Sequence, residues 1–381
     1  MRHRLEHILT VGLFVALILS PWVVGALGVR ASAERENRPL AESPGWSVGD
    51  ALDSGRFADF EAFVTDHLPL RQESAAAINW ALYAATGESP VENAFVDASG
   101  VWSLSEDFLD ACVGEFRATA LADSVAGWEA ASDGTTDIVI MVAPDKSSVL
   151  NAEFGVRNRI ADSCQAQREQ QLRDAFAVGD DLVDLWSPLR GRAAAGEDGL
   201  YFVNDSHWTS RGSITMAAAL VERFSPDLFD STQVMPAAPA AVTVTGDVTR
   251  RLGWERDETI DRLASFRPGV STDQEVVPSL TDQGVRIYTS AAGRPEQLIS
   301  GTTVIVNDSM GNYAEGMLAP YFERVVFVNW NDLAGGEFLP FVPSADRIVF
   351  ETVQRAMYPR AIDPLLDPAF DQELRSALAP D

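Results

Sequence analysis

Short apolar runs rich in branched residues recur along the chain: Asp137–Ala143, Leu182–Leu185, Thr303–Val306, Arg324–Asn329 and Arg347–Val353. Each is bounded by turn-forming or polar residues, as Pro144-Asp145-Lys146 bounds the first. Continuous runs of this length suit strands buried on both faces of a parallel sheet. Between them, apolar positions repeat at helical spacing over residues 108–131, 157–176, 213–223 and 315–318. Strands alternating with helices predict an α/β fold, a three-layer sandwich around a mainly parallel sheet. Upstream, Phe57, Phe60 and Phe63 share one helical face, which is read as core packing, and a second helical pattern covers residues 74–83. Asp97–Trp102 reads as a turn leading into a strand, and the Pro- and Ala-rich stretch 236–244 as a connector. Residues 246–300 show no clear period and predict irregular structure with a few strands.

The longest apolar run is different in kind. It extends almost uninterrupted from Ile8 to Val29, behind Arg2 and Arg4. At about 1.5 Å per helical residue it can cross a bilayer core of about 30 Å. Basic residues on its near side predict a cytoplasmic N-terminus and an exported body. Two readings stay open: an uncleaved signal anchor, and a signal peptide cut after Ala31-Ser32-Ala33. The predicted organisation is 1–33 as signal anchor or signal peptide, 34–90 as linker and helical segment, and 91–381 as the main α/β domain.

Composition narrows the partners. With 56 acidic against 29 basic residues in 381, the formal net charge is −27, which repels phosphate backbones and excludes general nucleic-acid binding. Two cysteines, Cys112 and Cys164, form either a disulfide or two buried thiols. No CxxC or HExxH spacing is present, so no structural or catalytic metal and no cofactor is expected.

The chemistry concentrates in two stretches. The first, Tyr201–Trp208, carries His207, one of four histidines in the chain, with Asp205 two residues before it. His3 and His7 precede the apolar run, and His67 reads as a locally satisfied histidine, so His207 leads by elimination. Thr209 and Ser210 can cap the following helix, which sets His207 at its lip. The second stretch, Asn307-Asp308-Ser309-Met310-Gly311, follows a buried strand. In such sheets chemistry gathers beyond the carboxyl ends of the strands. Serine, histidine and aspartate are the parts needed to activate a hydroxyl. Amides near Met310 and Gly311 are candidates for an oxyanion site. Trp208 and Tyr313 are candidates to bind substrate or to pack the rim, as is Trp330.

Several of these stretches resemble the SGNH-hydrolase-like exopolysaccharide O-acetyltransferases of the alginate-acetylating AlgJ and AlgX type. Asp205-Ser206-His207-Trp208 matches that family's D-x-H-W, and Asn307–Gly311 resembles its G-D-S-F-G block. Weaker likenesses follow in the family's order: Glu36–Leu40, Asp66–Arg71, Asp97–Trp102, Gly246-Asp247-Val248, and Asp346–Glu351 with Arg355. The resemblance implies Ser309 as nucleophile, His207 as base and Asp205 as its orienter, with the Asp-His pair preceding the serine in a circularly permuted motif order. It implies acetyl transfer to an exported polysaccharide through an acyl-serine, with the acetyl group delivered by a membrane-bound acyltransferase partner. Asn307 and Met310 stand where the family has glycine and phenylalanine, and the carbohydrate-binding module of the AlgX type has no evident counterpart. The expected setting is a single-pass protein with its catalytic domain outside the cytoplasm, or a secreted one. An esterase with the same triad and a non-catalytic glycan-binding subunit remain as alternatives.

Overall fold

The computed structural model describes residues 40–45, 54–68, 70–109, 116–150, 156–281, 283–333, 335–357 and 362–379, with a few residues among the first thirty. Most of the apolar run 8–29 lies outside the described residues, as do Glu36–Pro39 and Cys112. Among the described residues, no helix is long and apolar enough to cross a membrane. The chain divides into two compact units, Met1–Ala94 with Asp247–Arg256, and Phe95–Gly246 with Asp257–Asp381.

In the first unit, helices span Ser54–Asp66 and Arg71–Thr86. The second stops at Gly87, whose φ of 70° is open to glycine at little cost. Its side chains meet the 247–256 segment: Asn79 Nδ2 donates to Leu252 O at 3.0 Å, and Trp254 Nε1 donates to Ala76 O at 3.1 Å. The expectation that Phe57 and Phe60 are core is corrected, since both are exposed. Phe63 instead lies against the His67 ring, with centroids 4.3 Å apart, and His67 Nδ1 sits 2.9 Å from Phe63 O. His67 is therefore satisfied locally.

The second unit is built on a seven-stranded sheet. In chain order its strands are β1 (Asp137–Ala143), β2 (Leu182–Val183), β3 (Val270–Val277), β4 (Val285–Ala292), β5 (Ile299–Asn307), β6 (Phe322–Asn329) and β7 (Arg347–Val353). Their spatial order is β2-β1-β7-β5-β6-β4-β3. The first five are parallel, and β4 and β3 extend the sheet antiparallel. All five parallel strands match apolar runs in the sequence. The predicted α/β layers are observed, because alternate residues of each strand feed two separate cores. Ile138, Ile140 and Val142 meet Leu121, Val125 and Trp128 of the Ala118–Ala131 helix on one face. Val139 and Met141 meet Met216 and Leu220 of the Ser210–Phe224 helix on the other. Each such fully buried aliphatic side chain contributes roughly 1.5–3 kcal/mol.

Two expectations fail here. The stretch read as a connector is part of a strand, Val234–Thr245, paired antiparallel with Asp257–Ser265 in a ribbon of its own. Pro236 and Pro239 hid it, yet a two-stranded exposed ribbon tolerates prolines that an interior strand does not. The helix expected over 108–131 is shorter, with Glu106–Leu109 and Ala118–Ala131 as separate pieces and 110–115 outside the described residues.

Candidate active site

Ser309 stands where β5 ends. Asp308 has extended backbone and caps the short Ser309–Asn312 helix by accepting the Met310 amide at 2.8 Å. Its other carboxylate oxygen accepts the Val353 amide at 2.8 Å, and its own amide donates to Glu351 Oε2 at 3.1 Å. The end of β7 thus holds the turn on which Ser309 sits. Asp308 is 2% exposed, whereas Ser309 faces outward.

The histidine loop is closed at its base by a bridge between Tyr201 and Trp208. Phe202 N donates to His207 O at 3.2 Å, and Thr209 N to Leu200 O at 3.0 Å. Thr209 caps the following helix by accepting the Arg211 amide, as its position in the sequence predicted. Glu258 accepts the amides of Val203 and Asn204. Gly246 packs on the Asn204 backbone so closely that a Cβ there would collide with it. Gly212 has the same relation to Leu200 O and Trp208.

The structure brings Asp205, His207 and Ser309 together. His207 Nε2 lies 2.7 Å from Ser309 Oγ, and His207 Nδ1 lies 2.7 Å from Asp205 Oδ1. The same carboxylate oxygen accepts the His207 amide at 2.9 Å, so one atom of a residue 3% exposed fixes both ring and main chain. With the Nδ1 proton donated to Asp205, Nε2 is left to accept from the serine hydroxyl. That arrangement can raise the nucleophilicity of a hydroxyl.

The neighbouring candidates fall differently. Trp208 is fully buried, and its Nε1 donates to Met310 O at 2.9 Å. It offers no face to a sugar and instead ties the histidine loop to the serine turn. Tyr313 is half-buried, its ring 5.6 Å from the His207 ring and 5.9 Å from that of Phe202. Trp330 is packed against Phe350 in the core. The Met310 amide, a candidate oxyanion donor, is taken by Asp308. Gly311 does not have the positive φ that would make its backbone special. Its side chain is absent for room: a Cβ would stand 2.8 Å from Asn307 Cβ and 2.9 Å from Glu351 Oε2. Gly311→Ala is therefore expected to cost about 1–3 kcal/mol by overpacking, read as a lower midpoint in urea unfolding.

Sequence reasoning missed the polar groups behind these residues, apart from Glu351 and Arg355, which it marked as part of a family likeness without a role. Arg286 on β4 donates to Glu315 at 2.7 Å and to Asn312 Oδ1 at 2.9 Å, and Asn307 Nδ2 donates to the same oxygen at 2.8 Å. Burial raises the Glu315 carboxyl, and Arg286 opposes that shift. Behind the histidine loop, Arg355 meets Asp145, stands 3.5 Å from Asp107, and donates to Ser206 Oγ at 3.2 Å. Burial pushes the Asp107 carboxyl well up, and the charge of Asp145 adds to it. Burial works against the Arg355 charge, but Asp145, Asp107 and Asp308 hold it firmly protonated. The E-x-x-x-R spacing of Glu351 and Arg355 was the available signal. At the opposite ends of the strands, oxygens of Glu129, Asp137 and Asp181 lie within 4.8 Å of one another. Arg223 pairs with Asp137 there at 3.1 Å. Cys164 is disulfide-bonded, and Cys112 is the only other cysteine of the chain.

The family model described as the SGNH hydrolase-like domain of acetyltransferase AlgX matches residues 117–280, a span that contains Asp205 and His207 and ends before Ser309. No curated protein sequence matches. Among solved structures, the O-acetyltransferase domain of Pseudomonas putida AlgJ is 15% identical with a TM-score of 0.47, covering 75% of this chain and 99% of that one. A DHHW family protein from Eubacterium siraeum is 13% identical with a TM-score of 0.49, covering 77% and 98%. Bacillus cereus PatB1, solved with a sulfonyl adduct, is 10% identical with a TM-score of 0.44, covering 68% and 93%. The resemblance drawn from short motifs is thus met over residues 117–280, which are similar to the SGNH hydrolase-like acetyltransferase domain of AlgX.

Proposed function

We propose that the protein is an O-acetyltransferase that moves acetyl groups onto an exported polysaccharide through an acyl-enzyme at Ser309. The observation that carries the reading is the line from Asp205 through His207 to Ser309, with two contacts of 2.7 Å. The similarity of residues 117–280 to an acetyltransferase domain supports the choice of acyl group.

In the first half-reaction, His207 Nε2 takes the Ser309 proton as Oγ attacks the acetyl carbonyl. Asp205 holds the ring and stabilises the imidazolium that forms. The tetrahedral oxyanion is met by amides of the first helical turn, Ser309 and Gly311 being the candidates because Asp308 occupies that of Met310. The imidazolium then gives its proton to the leaving group. In the second half-reaction, His207 removes the proton from a sugar hydroxyl, which attacks the acyl-serine; the acyl–Oγ bond breaks, the imidazolium returns the proton to Ser309 Oγ, and the acetylated sugar leaves. The apolar run 8–29 supports an extracytoplasmic catalytic unit, held by an anchor or released after cleavage, with acetyl supplied by a membrane-bound partner.

The exposed hydroxyl leaves water as a competing acceptor, which would make the protein an esterase. Incubation with an acetyl-ester donor and an oligosaccharide separates the two. Acetylated sugar in excess of free acetate is the expected result. Free acetate alone contradicts transfer and leaves the esterase reading.

A further inference from the structure

Lys146 has no part in the reaction steps, yet it is among the largest fully buried side chains of the protein, 1% exposed. It begins the short Lys146–Val149 helix just beyond the carboxyl end of β1. Its Nζ donates to Asp205 O at 2.7 Å and to Trp102 O. Trp102 is also fully buried, and its own amide donates to Val203 O at 2.8 Å. The loop that carries His207 is therefore joined twice to the short strand Trp102–Leu104, and one joint passes through a buried ammonium.

Burying an ammonium carries a penalty of several kcal/mol; the charge of the nearby Asp107 carboxylate offsets part of it, while the Nζ hydrogen bonds themselves fall on main-chain carbonyls. The contact falls on Asp205 itself. Because Asp205 Oδ1 accepts both the His207 amide and the ring Nδ1, a shift of the Asp205 main chain moves the ring with it. Ring position matters steeply: a displacement near 1 Å can cost about 10²-fold in rate. Arg355 reaches the neighbouring Ser206 and Glu258 the amides of Val203 and Asn204, so the loop is braced residue by residue, with Lys146 at Asp205.

We propose that Lys146 is a positioning residue for acyl transfer: it fixes the Asp205 main chain, and through the Asp205 carboxylate it holds the His207 ring on Ser309. The inference rests on the triad reading given above. It is tested in the full chain by the rate of Ser309 modification with an aryl sulfonyl fluoride, which sulfonylates the serine oxygen and releases fluoride. Rate constant and final labelled fraction are measured separately. Lys146→Met is expected to lower the rate constant per labelled site by about 10- to 100-fold. The labelled fraction stays near that of the wild type, and kcat for an acetyl ester falls in parallel while KM stays within about twofold. A merely structural role would lower the labelled fraction and leave the rate constant per site alone. If Lys146→Met does not fold, Lys146→Gln, which keeps a donor with shorter reach, carries the comparison, with a drop of at least about fivefold expected. A rate constant per site within twofold of the wild type in the folded variant overturns the inference and leaves the triad standing. Absence of Ser309 labelling in the wild type overturns the triad and this inference together.

Discussion

Ser309→Ala is expected to reduce turnover of an acetyl ester by about 10⁴-fold or more, with folding unchanged. The size follows from the role. Without Oγ no acyl-enzyme forms, and only the oxyanion donors and substrate binding remain. Stability should hold because the hydroxyl is exposed and its contact is with the His207 ring. The turn beneath it is held by the Asp308 carboxylate and by the ends of β5 and β7, which the substitution leaves in place. Steady-state kinetics with far-UV circular dichroism check both halves. Activity of purified Ser309→Ala within tenfold of the wild type would remove the serine from the mechanism.

His207→Ala is expected to lose a comparable factor, again about 10⁴-fold or more. The reason lies in both ring contacts. Nε2 has no substitute as the acceptor of the Ser309 proton, and the partially exposed ring leaves water in its place. Residues that act as one unit are far from additive. The double variant Ser309→Ala/His207→Ala should therefore be no slower than either single one. Multiplying losses in kcat/KM would contradict a shared step and assign the two residues independent roles.

The parallel half of the sheet was legible because its strands are buried on both faces and so read as unbroken apolar runs, Asp137–Ala143 and Thr303–Val306 above all. The antiparallel β3 was hidden by its exposure: Ser271, Asp273 and Glu275 sit in an edge strand, so no apolar run or clean alternation marks it. The same holds for the ribbon at Val234–Thr245, where prolines point to a connector. The meeting of Asp205, His207 and Ser309 was readable because reactive residue types fell in short motifs. What each neighbour does was not. Trp208 next to a histidine suggests a sugar platform, but only packing shows its indole turned inward onto Met310 O. Gly311 suggests a turn, but the reason for glycine is the closeness of Asn307 and Glu351. Lys146 and Arg286 act across distances in sequence that no local pattern encodes, and for Arg355 the motif marked the residue but not its partners Asp145 and Ser206.

The most direct test is to look for the acyl-enzyme. The protein is incubated with an activated acetyl ester, quenched in acid, digested and analysed by mass spectrometry. An acetyl group on the Ser309 hydroxyl is predicted in the wild type, absent from Ser309→Ala, and lost on addition of an acceptor oligosaccharide. Turnover of the ester with no acetyl group ever found on Ser309, or with the same labelling in Ser309→Ala, would contradict the account.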